Sequence, residues 1–593
     1  MNFQNLFAER VDMVQLVENN MAIKNKIAEL IKDALKKLEI GEVNFVVEHP
    51  EDFKNGDYST NVAMVCAKQL KMNPRELAEK ISEILRQAQD ESQVTEIQVA
   101  GAGFINFYVS KEYFQKELAN IITLADKYGS SDLNKGKKIL VEHSSPNLFK
   151  PFHVGHMMNN AIGESITRLA HFSGAEVKAI SFPSDISLGV AKAIFIILEK
   201  QIDGQVFKPV DIVALGDAYV EGTKRYDEDE SIHTRVKEIA DNLYAEKDSP
   251  EFKAFVACKE FNMEYFKNIT KRLGSEFDGY IYESEAGIIG KKMVLENTPV
   301  IFTESEGAVV YIPEETKKYI NTAVFINSQG NPTYEAKDLG LLDLKFEKYN
   351  PDLSIFITDH QQISHFAVVL DAVEKINKSW VERSVHRTHG RMTFKGQKMS
   401  SRLGGVPLVA DILETVLAEV SERTKDRDTV DTRENPEAIA VGALKFAILR
   451  AQAGKNIDFD PETSLSFEGD SGPYLQYTGV RANSVLEKAG FGGKRPDLKE
   501  VPRSGLEEPI SDVEKILARF PEVVENSITN WAPHYVTTYL CELAQSFNSW
   551  YAHTQIIDEA NPNMNYNLAI TKSVAQVMQN GLYLLGITLP ERM

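Results

Sequence analysis

Residues Lys138 to Gly174 read KILVEHSSPNLFKPFHVGHMMNNAIGESITRLAHFSG. An apolar, β-rich run, Ile139 to Val141, leads into a Ser-Ser-Pro-Asn turn. Beyond it a helical pattern sets in, with Ile162, Ile166 and Leu169 at i, i+4 and i+7 on one face. Gly174 is a natural stop just past the helix end. Strand, turn and helix open a parallel α/β unit, and ligands bind at the carboxyl ends of such strands. The turn-to-helix junction carries HVGH, with His153 and His156 around Gly155. A glycine there lets a ligand approach the backbone, and a helix N-terminus attracts phosphate. On spacing alone three readings stay open for the histidines: a phosphate site, two metal ligands on one helical face, or a satisfied structural pair.

A second stretch, FKGQKMSSRLGG at Phe394–Gly405, favours phosphate. The two together resemble the HIGH-type and KMSKS-type signatures of class I aminoacyl-tRNA synthetases. Ser144-Ser145-Pro146-Asn147 before HVGH resembles the arginine-binding turn of the arginyl-tRNA synthetases, and Lys150 stands where that family often has a lysine. FEGDSGPYLQYTGVRANSVL and the closing GLYLLGITLPERM are similar to the family's anticodon-binding domain. GDYSTN and AGAGFIN are similar to its amino-terminal domain, which in the family contacts the outer corner of the tRNA. The KMSSR segment departs from the consensus: Ser401 replaces the second lysine and Arg402 the final serine. That leaves the division of phosphate work among Lys150, Lys398 and Arg402 open.

Composition is consistent with this resemblance. The 593 residues, 43% hydrophobic and 26% charged, make an ordinary globular enzyme of several domains. No apolar run reaches the ~18–20 residues needed to span a bilayer. The amino terminus has no secretory pattern, so the expected compartment is the cytoplasm. Cys66, Cys258 and Cys541 lie too far apart in sequence for a zinc knuckle, and no zinc is expected. The net charge of −20 is awkward for an RNA-binding protein. A local basic strip resolves it: Lys378, Arg383, Arg387, Arg391, Lys395, Lys398 and Arg402 stand against Glu382 alone between Ile376 and Arg402.

The expected architecture is α/β multidomain: a Rossmann-type parallel-sheet catalytic core, a small α+β amino-terminal domain and a carboxyl-terminal helical bundle. The expected boundaries are an extension at 1–20, an amino-terminal domain at 21–115 and a catalytic domain at 116–410 with an insertion around 190–275. A helical connector at 411–464 and an anticodon-binding domain at 465–593 follow. The stretch AEVKAISFPSD is expected to form the second strand, ending at Asp185.

The resemblance implies arginine activation by ATP to arginyl-adenylate, then transfer to tRNA(Arg), with Mg²⁺ accompanying ATP. His153, His156, Lys150 and Lys398 would be catalytic. His153, Gly155, His156, Lys398, Met399, Ser400, Ser401 and Arg402 would hold ATP. Ser145, Asn147, Glu283, Tyr334, Asp338 and Gln362 would hold arginine. Arginine is a planar cation with five donors, so paired carboxylates suit it and a lysine would leave acceptors unpaired. The tRNA would meet Arg383, Arg387, Arg391, Tyr474, Tyr477 and Met593, and a monomer is expected. A cysteinyl enzyme would want zinc ligands, a glutamyl pocket a cation in place of Asp338 and Glu283. A non-catalytic paralogue would have lost the phosphate-handling side chains.

Overall fold

The computed structural model describes residues 23–87, 93–200, 211–317, 319–395, 407–424, 436–490 and 509–593. The KMSSR segment, Lys398 to Arg402, and the extension at 1–20 lie outside the described residues. Contacts divide the chain into two units. One holds residues 1–128, 482–522 and 545–577; the other holds 129–481, 523–544 and 578–593.

In the first unit, strands Val47–Glu48 (β1), Tyr58–Thr60 (β2), Val94–Ala100 (β3) and Phe104–Val109 (β4) form an antiparallel sheet in the order β1-β2-β4-β3. The β3–β4 turn carries Gly101 and Gly103, both at positive φ. Helices Ile23–Lys37, Val62–Leu70 and Pro74–Gln87 cover the sheet with Ile27, Ile31, Val62, Leu77 and Ile81, all buried. Pro74 opens its helix, where a missing N–H costs nothing. Polar ties come from the carboxyl-terminal part of the unit. Tyr58 donates to Glu522 at 2.6 Å, and Lys515 pairs with Asp57 at 2.8 Å.

The second unit is built on a parallel sheet. Its first three strands are Lys138–Glu142 (β5), Glu176–Ser181 (β6) and Gly279–Tyr280 (β7). An antiparallel sheet of Phe302–Ser305 (β8), Ala308–Tyr311 (β9) and Ala323–Ile326 (β10) interrupts the chain. Leu353–Asp359 (β11) and Ser384–His389 (β12) then complete the order β12-β11-β5-β6-β7, every pairing parallel. The chain runs outward from β5 through β6 to β7, then returns to the other side of β5. The crevice between β5 and β11 is therefore the topological switch point, where doubly wound sheets bind ligands. The expected strand ending at Asp185 stops at Ser181. Phe182–Ser184 leave the strand to pair with the Ser-Ser-Pro-Asn turn, Leu148 donating to the Ser184 carbonyl and Ser184 to the Pro146 carbonyl, each at 2.9 Å.

The helix Val154–Phe172 follows β5 and ends with Ser173 as its cap and Gly174 at φ +82°. It is buried nearly all round, not on one face, because it packs against both the sheet and other helices. Gly163 lies so close to the His143 ring that a Cβ would stand 2.2 Å from it. The expected insertion is helical: Leu188–Glu199, Ile212–Glu228, His233–Tyr244 and Pro250–Arg272. Their Ile194, Leu215, Ile239 and Phe266 share one core with Phe149, Phe152 and Met157.

Helices Glu283–Glu296 and Tyr334–Tyr349 meet through Ala286 and Gly290 on one and Ala336 and Gly340 on the other. A Cβ at Gly290 would stand 1.7 Å from the Ala336 carbonyl oxygen, and one at Gly340 would stand 2.0 Å from that of Ala286. Any side chain there would force the helices apart, overpacking that costs ~1–3 kcal/mol. The close approach fixes where Glu283 and Asp338 stand.

Candidate active site

The carboxyl end of β5 is held in an unusual backbone. Ser144 adopts φ +58°, a left-handed conformation that costs energy for any residue with a Cβ. The cost is offset by hydrogen bonds from the following helix. The Ser144 N–H donates to Asn159 Oδ1 at 2.7 Å, and Asn160 donates to Ser144 Oγ at 3.1 Å. Asn159 in turn donates to the Ile357 carbonyl of β11 at 2.6 Å, so one amide spans the switch point. Ser145 Oγ accepts from the Phe182 N–H at 3.1 Å, while Asn147 is exposed beside Ser184.

The two histidines cap their own helix. Nδ1 of His153 accepts from the Gly155 N–H, and Nδ1 of His156 accepts from the His153 N–H, each at 3.2 Å. An acceptor Nδ1 on a neutral imidazole puts the proton on Nε2. Both rings therefore present an Nε2–H donor, and they stack with centroids 3.7 Å apart. Gly155 serves this arrangement, since a Cβ there would stand 3.1 Å from Cε1 of His153. Burial, with the Lys150 charge, pushes His153 down to about 4. Burial also holds His156 well below the ordinary range, helped by His153, His389 and Lys150. These are neutral donors rather than cations. The Lys150 ammonium lies 4.3 Å from the Tyr219 ring centroid.

The expected arginine residues divide into two ion pairs. Glu283, buried, takes the Lys337 ammonium at 2.8 Å, while Asp338 takes Nε2 of His365 at 2.5 Å. Burial disfavours a charged His365, but Asp338 and Glu335 outweigh it and push the imidazole up to about 9. Tyr334 is 61% exposed at the start of its helix, and Gln362 is exposed at the end of the turn after β11. The two carboxylates expected to meet a guanidinium thus each already face an internal cation. Lys337, His365, Asn159 and Asn160 belong to the site region and were not among the expected residues. Two adjacent asparagines inside a buried helical stretch were the available signal, because buried amides need partners.

The basic strip is less free than its sequence suggests. Arg383 donates to the Pro351 carbonyl at 3.0 Å and lies over the Phe346 ring, and Arg387 donates to the Asn530 carbonyl. Arg391 is more open, 3.9 Å from Asp359 with its side chain 57% exposed. Tyr474 and Tyr477 are half-buried on the helix Gly472–Lys488, with Arg481 over the Tyr477 ring. Met593 packs on the large core of the second unit. Among the described residues no group of three or more His, Cys, Asp or Glu could hold a metal ion, and no helix is long and apolar enough to cross a membrane.

Comparison with known proteins agrees with this geometry. The family model for the catalytic domain of class I tRNA synthetases (R) matches residues 117–460. The DALR anticodon binding domain matches 475–593, and the arginyl tRNA synthetase N terminal domain matches 25–109. The arginine–tRNA ligase of Clostridium perfringens is 30% identical, covering 97% of this chain and 100% of its own. That of Borreliella burgdorferi is 28% identical over 97% of each. The arginyl-tRNA synthetase of Thermus thermophilus superposes with a TM-score of 0.76 at 25% identity, over 96% of this chain and 100% of that one. With its parallel sheet, its histidine-capped helix at the switch point and these matches along nearly its whole length, the chain belongs to the arginyl-tRNA synthetases, the class I ligases that use ATP to join arginine to tRNA(Arg).

Proposed function

We propose that His153 and His156 work as a pair of neutral Nε2–H donors to the ATP phosphates. The observation that carries this reading is the reciprocal capping, which commits both Nδ1 atoms to backbone N–H groups. The arginine carboxylate attacks the α-phosphate in line, the bond to the bridging oxygen breaks, and pyrophosphate leaves. The 2′-hydroxyl of the terminal adenosine then takes the arginyl group and AMP departs. No protein nucleophile is needed; positioning and charge stabilisation lower the barrier. Donors already desolvated and fixed cost no reorganisation as phosphate charge shifts. Lys150 and Lys398, with Arg402, neutralise the leaving pyrophosphate. Gly155, Met399, Ser400 and Ser401 complete the ATP contacts. Mg²⁺ would accompany ATP and add charge neutralisation to that of Lys150 and Lys398.

The experiment is a pH profile of arginine-dependent pyrophosphate exchange. With His153 at about 4, the rate should show no acidic limb at the ordinary histidine value of 6.5, and any limb from this ring should lie near 4. A limb at 6.5 that moves in His153 variants would refute the neutral-donor reading. Stability responds with the same sign. Burial holds the folded-state value below that of the unfolded chain, so the unfolded chain takes up the proton first. This contribution is complete above pH 6.5 and is lost as pH falls toward 4.

Asp338 and Glu283 would receive the guanidinium with Tyr334 beside them, and Ser145, Asn147 and Gln362 would fix the α-amino and carboxylate end. The segment 21–115 would touch the outer corner of the tRNA, and 465–593 would read the anticodon, with Tyr474, Tyr477 and Met593 at or near that surface. The enzyme would act as a cytoplasmic monomer. Arg383 and Arg387 already serve protein carbonyls, so Arg391 is the best placed of these three arginines to meet phosphate. Arg391→Glu should weaken all tRNAs alike and reduce the salt slope of log affinity by about 1. An unchanged slope with lost anticodon preference would displace it from the phosphate role.

A further inference from the structure

The Lys337 ammonium occupies a site made for a primary ammonium. Its Nζ lies 2.8 Å from Glu283 Oε2, 3.5 Å from the Ile186 carbonyl oxygen and 5.3 Å from the centroid of the Tyr334 ring. A carboxylate, a carbonyl and an aromatic face are three things that recognise such a cation. The side chains of Lys337 and Glu283 are each 7% exposed. The backbone that delivers the lysine has little freedom, because its neighbour Ala336 is pressed against Gly290 and Gly340 against Ala286. Glu283 and Tyr334 are two of the residues proposed to face the substrate side chain, and Asp338 is next to Lys337 in the chain.

We infer that Lys337 is a specificity-determining residue, whose tethered ammonium fills the place on Glu283 that a free lysine side chain would take and so excludes lysine from the arginine pocket. The inference rests on the arginine-pocket reading above. With Lys337 in place, Glu283 offers an incoming cation at most one spare oxygen and no net charge. A second compact ammonium would meet like charge at that point. A guanidinium spreads its charge and its five donors over a plane and can bond to the oxygens of both Glu283 and Asp338 that Lys337 and His365 leave spare, so it loses less. The lysine acts against the wrong substrate rather than for the right one. Burial works against the charge on Lys337. The Glu283 carboxylate, with Tyr244 and Tyr334, outweighs it and holds the ammonium above its ordinary range.

The test is pyrophosphate exchange by the full chain with tRNA(Arg) present, driven by arginine or by lysine. Wild type, Lys337→Ala, Lys337→Met and Asp338→Asn are compared. Both Lys337 variants should lower the arginine-to-lysine ratio of kcat/KM about 10-fold or more, through a lower KM for lysine. A purely structural lysine would not give this gain of lysine use, since loss of folding removes both activities together. Methionine keeps most of the side-chain volume, so the comparison stands if the alanine variant folds poorly. An unchanged ratio in folded Lys337→Met, while Asp338→Asn still raises the KM for arginine, overturns the inference and leaves the pocket reading intact. If Asp338→Asn leaves the KM for arginine unchanged, the pocket reading falls and the inference falls with it.

Discussion

His153→Asn should slow arginyl-adenylate formation by about 10²-fold or more while leaving the fold and arginine binding nearly unaltered. Asparagine is among the best helix caps, so its side-chain oxygen can take over the hydrogen bond that His153 Nδ1 now accepts from Gly155. It is too short to replace the Nε2–H donor. His153→Gln places its amide farther out and should recover part of the rate. His156→Ala should show a loss of similar scale, because the second donor goes and the reciprocal bond to His153 N–H goes with it. Single-turnover adenylate formation with saturating arginine is the measurement. If His153→Asn kept full rate, the histidines would be caps and nothing more. Loss of activity on chelating a tightly bound metal, with Mg²⁺ in excess, would favour metal ligation instead.

Asp338→Asn should raise the KM for arginine roughly 10- to 100-fold with a smaller change in kcat. That is the scale of losing a charge-assisted hydrogen bond. Asp338 is bound to His365 before substrate arrives, so a guanidinium has to compete with the imidazole for the carboxylate. Burial resists charge on His365 and the two acids favour it, leaving it at about 9. A group raised in this way stabilises the folded state fully below 6.5, and that contribution is lost as pH rises through 9. Removing Asp338 takes away one of its two acids, so in the variant this alkaline loss should be smaller and finish at lower pH. Thermal melts across that range measure it. A variant with unchanged arginine KM and weakened ATP binding would move Asp338 out of the pocket.

The parts of this protein that were legible in the sequence are those where local pattern and chemistry coincide. The apolar run before the Ser-Ser-Pro-Asn turn became β5, and Gly174 ended the helix at positive φ because only local backbone geometry was at stake. The helices of the insertion and the β3–β4 turn were equally local. What was not legible depends on partners distant in sequence. The segment after Ser181 reads as strand, yet it is drawn off to pair with residues 146–148. Gly155 reads as a door for ligand; its missing Cβ also leaves room for the ring of His153, which spacing alone does not show. Glu283 and Asp338 read as a free pair of acids, but Lys337 and His365 reach them from 54 and 27 residues away. Arg387 reads as one of a free basic strip and instead serves a carbonyl 143 residues on.

Charging of tRNA(Arg) by the full chain, with each amino acid supplied singly alongside ATP, measures the central claim most directly. Arginine alone should become esterified to the tRNA, with AMP and pyrophosphate formed in step with the product. Efficient charging with a different amino acid, or none with arginine while ATP and tRNA still bind, would contradict it.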